Sequence, residues 1–256
     1  MSKAEIYVGT ILLERSRWAE DKTPTFRVSE WAGRFADAGF DGMELWEYHA
    51  TLAGRDEVAA LEASGCPVAV FNSYASMDDA GAEARRQAVE LTRRLGARGV
   101  KFNVGRDPQA RETYVRTVRE WGDEFAEDVR LLCECHSGTI IEEPKDARRF
   151  FEDVGGDRWQ VIVHAFSYPE RLDEWFDEFG ERLGHVHVQL SRDGQYMRLE
   201  RWPERVDETL EVLTRRGFAG TYTLEFTEGT RTEGETMGLL WDNALRDLEF
   251  LRGRVS

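Results

Sequence analysis

Short apolar runs alternate with longer amphipathic stretches along the whole chain. Ile6-Tyr7-Val8-Gly9-Thr10 reads as a buried strand, and Val28, Trp31, Phe35 and Ala38 then recur at helical spacing. The couplet repeats. Met43-Glu44-Leu45-Trp46 leads to a short helix through Val58, Ala59, Leu61 and Glu62, ended by Gly65. Pro67-Val68-Ala69-Val70-Phe71 leads to a stripe of Ala84, Ala88, Leu91 and Leu95. After Gly99-Val100-Lys101-Phe102-Asn103, Pro108 opens a long predicted helix whose Tyr114, Val118, Trp121, Phe125 and Val129 share one face, an aromatic stripe that reads as core. A fifth strand ends in Glu134, and its helix carries Ala147, Phe150, Phe151 and Val154 before Gly155-Gly156. The sixth, Gln160 to His164, precedes Leu172, Trp175, Phe176 and Phe179. The seventh holds His185-Val186-His187, followed by a polar loop, Ser191-Arg192-Asp193-Gly194-Gln195, and a helix from Pro203. Thr221 to Leu224 is the eighth, with a last helix from about Leu239 to Leu251. Eight uninterrupted strand-helix couplets predict an α/β fold, a closed parallel (β/α)8 TIM barrel, over an open doubly wound sheet.

The chain's 256 residues suit one such barrel of about 250, so a single domain over 1–256 is expected. Apolar runs are too short for a membrane span of about 20 residues, and Met1-Ser2-Lys3-Ala4-Glu5 leads into a strand rather than a signal core. A cytoplasmic protein is expected. Cys66, Cys133 and Cys135 have neither metal-finger spacing nor the number for a disulfide framework. Alternation turns Cys133 and Cys135 away from Glu134 and into the strand-helix core, where they read as inert. A net charge of −15 argues against nucleic-acid binding, which needs Lys and Arg to neutralise phosphates. A small molecule is the expected partner, and a homo-oligomer is left open.

The chemistry concentrates where strands end. Side chains at the carboxyl ends of barrel strands converge on one mouth, and Glu134, His164, His187 and Glu225 end four consecutive strands. Hard oxygen and borderline nitrogen donors of this kind suit Mn, Co, Zn or Fe and fit calcium poorly. Four such groups converging without a cation would repel one another. A divalent metal is therefore expected, manganese first. His185 is read instead as a satisfied core histidine, outside the site.

The segments Gly39-Phe40-Asp41-Gly42-Met43-Glu44-Leu45-Trp46, Glu134-Cys135-His136-Ser137-Gly138-Thr139, His185-Val186-His187-Val188 and Gly220-Thr221-Tyr222-Thr223-Leu224-Glu225 resemble the xylose-isomerase-like barrels, which include sugar-phosphate isomerases and epimerases and, more distantly, endonuclease IV. The resemblance covers nearly the whole chain. It implies a metal held by Glu, Asp, His and Glu from strands five to eight, which carries over to Glu134, His187 and Glu225. The sixth position departs from the pattern, with His164 for Asp and Ser167 where a substrate-touching His is usual; Leu190 also stands where a carboxylate is common.

The resemblance implies a metal-dependent isomerase or epimerase of a sugar or related polyol ketone. Glu134 and Glu225 would exchange the roles of base and acid around an enediolate. Trp46, Lys101 and His136 are candidate substrate contacts: an aromatic wall, an ammonium near oxyanions and a polar contact. Arg192 reads as a solvated loop arginine. The alternative activity is a lyase or dehydratase of the same fold, in which a β-substituent leaves after the same proton abstraction.

Overall fold

The structure is a computed structural model that describes residues 3–255. Eight parallel strands close a barrel: β1 Ile6–Gly9, β2 Gly42–Trp46, β3 Val68–Asn72, β4 Gly99–Phe102, β5 Arg130–Glu134, β6 Trp159–Val163, β7 Leu183–Val188 and, eighth in the barrel, β10 Thr221–Leu224. The barrel closes where β1 pairs with β10, Ile6 opposite Tyr222 and Val8 opposite Leu224. The helices are α1 Ala32–Asp37, α2 Tyr48–Thr51, α3 Arg55–Glu62, α4 Ala82–Arg94, α5 Arg111–Gly122, α6 Pro144–Val154, α7 Leu172–Phe179, α8 Pro203–Arg215 and α9 Met237–Val255. No helix among the described residues is long and apolar enough to cross a membrane.

Side-chain alternation divides each strand between two cores. Cys133, Val161, Val163, Val186 and Val188 belong to the large cluster between strands and helices, while Tyr7, Leu132 and Ile162 help form a small cluster of their own. Cys66 and Cys133 are buried free thiols, and burial alone pushes Cys66 up to about 11. The strand interiors also carry polar groups: Glu44, Asn72, Lys101, His185 and Thr223 are all buried. Burying such groups demands partners, and those partners lead directly to the site.

The helix expected through Val28 and Ala38 is a 3-10 turn, Val28–Glu30, followed by α1, and two further segments differ from the sequence expectation. The helix after Pro108 begins with a 3-10 turn, and α5 stops at Gly122, so Phe125 and Val129 lie beyond it. Phe125 still reaches the core, with its ring 4.9 Å from that of Trp121. The Arg158 guanidinium collects the backbone carbonyls of Gly122, Phe125, Ala126 and Val129, satisfying acceptors that a longer helix would have used internally. The polar loop after β7 is a hairpin, β8 Leu190–Arg192 against β9 Gln195–Met197. Its turn residues Asp193 and Gly194 have φ of 54° and 77°, the left-handed pair that Asp-Gly supplies at low cost.

Candidate metal centre and cavity

Glu134 ends β5, His164 follows β6, His187 lies in β7 and Glu225 follows β10. One donor atom from each lies within 4.8 Å of every other. His164 Nε2 is 2.8 Å from Glu134 Oε1 and 3.9 Å from Glu225 Oε2; His187 Nδ1 is 3.4 Å and 3.5 Å from the same two oxygens. A cation bound at about 2.0–2.2 Å from each donor would set neighbouring donors roughly 3 to 3.5 Å apart. Two of the four atoms, His187 Nδ1 and Glu225 Oε2, are buried without any hydrogen-bond partner. Buried polar atoms orphaned in this way are rare in native proteins. The donor set therefore fits a divalent cation.

A second layer of side chains orients these donors. Glu44 Oε2 lies 3.2 Å from His187 Nε2, which leaves Nδ1 to face the cluster. The other Glu44 oxygen accepts from the Asn72 amide at 2.8 Å. Lys101 Nζ pairs with Glu134 Oε2 at 2.7 Å, and the Asn103 amide donates to the same oxygen at 2.9 Å. Gln189 meets His164 Nδ1 at 2.9 Å, and its own Oε1 is a buried acceptor without a donor. With the amide turned so that this oxygen faces the ring, Nδ1–H donates to it and Nε2 keeps its lone pair for the cluster.

Electrostatics separate the two carboxylates. Burial raises the Glu134 pKa, but the Lys101 ammonium and the two imidazoles outweigh it and hold the group well below the usual range. Burial also raises Glu225, and there His187 does not reverse it because the Glu134 charge adds to it. Burial lowers His187, yet the Glu44 and Glu225 carboxylates carry it well above the ordinary histidine value.

The cluster opens into a cavity of about 800 Å³. Trp46, almost fully buried, forms part of the wall beside Tyr48, with ring centres 4.8 Å apart. His136 stands at the exposed rim, its ring 6.0 Å from that of His164. Lys101 is turned to Glu134 and is not among the lining residues. Arg192 is exposed on the hairpin, 3.9 Å from Asp193.

His185 and His187 are two residues apart, so both side chains point into the barrel, and alternation does not separate them. Depth does. His185 bonds the hydroxyls of Thr221 and Thr223 at 2.7 and 2.9 Å and lies 3.4 Å from Glu44. Burial lowers its pKa to about 4. The sequence reading passed over Glu44, Asn103 and Gln189, although each stands two residues from a named candidate, Trp46, Lys101 or His187, and period-two parity places them on the same face.

A family model described as a xylose isomerase-like TIM barrel matches residues 33–252. A search of curated proteins finds no match. Among solved structures, a D-psicose 3-epimerase with D-tagatose from Clostridium cellulolyticum H10 is similar at a TM-score of 0.71 and 16% identity, over 98% of this chain and 99% of that one. A probable 3-DHS dehydratase from Bacillus anthracis also reaches 0.71, at 14% identity over 96% and 98%. A xylose isomerase-like TIM barrel protein from Mycobacterium smegmatis in complex with magnesium reaches 0.67, at 16% identity over 99% and 98%. At such identities the likeness concerns the fold, while the family match spans most of the sequence. The chain belongs to the xylose isomerase-like TIM barrel family.

Proposed function

We propose that this protein is a divalent-metal-dependent isomerase or epimerase of a sugar or related polyol ketone. The observation that carries the reading is the convergence of Glu134, His164, His187 and Glu225 on one point, with two buried donor atoms lacking any other partner. A divalent cation held there supplies Lewis acidity toward a carbonyl and an adjacent hydroxyl. Manganese is the first choice, although two imidazoles and two carboxylates also accept iron, cobalt or zinc. The similar structures include proteins named as a D-psicose 3-epimerase and a 3-keto-D-glucoside 4-epimerase, which supports the substrate class.

The side chains divide the proton work unequally. Glu134 keeps its charge because Lys101 and Asn103 occupy its outer oxygen. Glu225 lines the cavity, has an unpartnered oxygen and holds its proton more readily, so it is the stronger candidate to take a proton from carbon beside a carbonyl. In an isomerisation Glu225 then returns that proton to the neighbouring carbon as the hydroxyl proton passes to the former carbonyl oxygen; in an epimerisation Glu134, the second carboxylate, would pass a proton from water to the opposite face while Glu225 gives up its own to solvent. Trp46 offers an apolar wall to the carbon skeleton, and His136 a polar contact at the rim. Lys101 acts through Glu134.

The test is a panel of ketoses, oxidised inositols and 3-keto-glycosides incubated with metal-loaded protein in heavy water. Mass-conserving products that carry deuterium are expected. Loss of water or a glycosyl group with a new ultraviolet-absorbing enone would replace this reading with the lyase, and the absence of both exchange and product would reject it.

A further inference from the structure

The chain carries a net charge of −15, yet its cavity is lined by cations. Arg17, Lys22, Arg106 and Arg231 line it, whereas the carboxylates of the lining are Glu134 and Glu225, both members of the donor cluster. On so acidic a chain, a lining of four basic side chains with no carboxylate beyond the donor cluster is an arrangement suited to anionic ligands.

Three of the cations gather on one side, in the loops that follow β1 and β10, which are hydrogen-bonded neighbours. The Arg17 and Arg231 guanidinium carbons lie 4.3 and 4.1 Å from the ring centre of Trp18, which is 44% exposed. The Lys22 ammonium donates to the Arg17 carbonyl at 2.7 Å, which fixes that end of the loop. Phe226 and Tyr196 continue the wall with rings 5.0 Å apart, and Phe226 directly follows Glu225. The basic wall thus begins one residue from the donor cluster.

A purely structural role accounts for only part of this arrangement. Glu235 joins the two loops by accepting from Arg17 Nη2 at 2.8 Å and from the Arg231 backbone N–H at 2.7 Å. That latch leaves Arg17 Nε buried with no partner, in a side chain that is itself fully buried. It also makes no use of the Arg231 guanidinium, which has no carboxylate within ion-pair distance among the described residues. Glu235 is the counter-charge of Arg17, whereas the second guanidinium on the indole, that of Arg231, has no such counter-charge among the described residues and repels the first.

Resting on the metal-centred reading above, we propose that the substrate is itself anionic, a polyol ketone whose carboxylate or phosphate sits against Arg17 and Arg231 while its hydroxy-ketone end faces Glu134 and Glu225. Guanidinium suits either anion, because its fork of donors matches both geometries.

Calorimetric titration of metal-loaded protein with D-fructose, 5-keto-D-gluconate and D-fructose 6-phosphate tests this. At least one charged probe is expected to bind about 10-fold or more tightly than D-fructose, and the identity of the tighter one tells carboxylate from phosphate. The preference is expected to shrink as salt rises to about 0.5 M. Arg231→Gln should cut the charged-to-neutral ratio about 10-fold, while Arg86→Gln, at an exposed position of α4, should leave it intact. Equal affinities, a ratio indifferent to Arg231→Gln, or failure of both charged probes to bind below about 10 mM would overturn the proposal. Repeating the titrations after metal removal separates the two readings. If all binding then disappears but charged and neutral probes had bound equally, the metal-centred reading survives and the anion site does not. If metal removal changes no affinity, the metal-centred reading fails and the anion site is judged on the ratio alone.

Discussion

His187 stands between two carboxylates, with Nε2 3.2 Å from Glu44 Oε2 and Nδ1 3.5 Å from Glu225 Oε2. Glu44 sets which nitrogen faces the donor cluster and raises the basicity of that nitrogen. Glu44→Gln removes the charge without altering the cavity lining, which does not include residue 44. Metal affinity is expected to fall about 10- to 100-fold, measured by competition with a fluorescent chelator. An unchanged affinity would show that Glu44 serves only the packing of the barrel interior.

His164 and His185 should respond differently to removal. His164→Ala is expected to weaken metal binding about 10-fold or more, because Nε2 is one of the four converging donors. His185→Ala should act mainly on stability, since it strands the Thr223 hydroxyl in the interior, while Thr221 keeps only its bonds from Arg130. Metal competition and thermal melts on both variants give the ranking; a larger metal effect at His185 would place the cation a layer deeper, in the cluster of Glu44, His185 and His187.

Lys101 has no solvent exposure, and Glu134 beside it is nearly as buried. Lys101→Met leaves a buried carboxylate without its counter-charge, which costs about 3–5 kcal/mol in comparable pairs. Denaturant unfolding of the metal-free protein should show a loss of that order. Added metal should restore part of it, because a cation replaces the missing charge. A neutral substitution would mean that Glu134 takes up a proton and escapes the penalty.

Asp247 predicts a pH dependence away from the site. Burial raises its pKa to about 7, although it accepts from the Thr227 hydroxyl at 2.5 Å and the Leu199 N–H at 2.7 Å. A carboxyl whose folded pKa exceeds its unfolded value stabilises the fold below the unfolded value, near 4, and that stability is lost as pH rises through about 7. Stability should therefore decline between about pH 4 and pH 7, by at most about 4 kcal/mol from this group. Asp247→Asn should flatten that part of the curve; an unaltered slope would assign it to other groups.

Much of the frame was legible because two periodicities carry it. Period-two alternation placed Cys133 on the helix side and Glu134 on the other, and 3.6-residue stripes found the helices. What escaped depended on pairings distant in sequence. The early end of α5 follows from Arg158 reaching back to the Gly122 carbonyl, which no local pattern in 108–129 announces. The buried Glu14–His49 pair at 2.8 Å, which braces the loop after β1, joins residues with no periodic relation. The hairpin after β7, by contrast, carries its Asp193-Gly194 turn signal within what reads as a polar loop, because strands of only three residues each are too short for alternation to show.

The closure of β1 on β10 has a consequence for how the molecule forms. Until Thr221 to Leu224 has been made, β1 has its β2 neighbour but lacks its other one, and the growing sheet exposes two open edges. The Arg17–Glu235 ion pair is absent over the same interval. Joining strands so far apart in sequence is entropically slow, so the β1–β10 seam is expected to be among the last regions to order. On a refolding chain, amides of β1 should gain protection from hydrogen exchange late, together with those of β10 and well after those of β4 and β5. Glu225 follows one strand of that seam while Glu134, His164 and His187 stand on earlier strands, so a chain stalled short of its eighth barrel strand exposes a sticky sheet edge and holds an incomplete donor cluster.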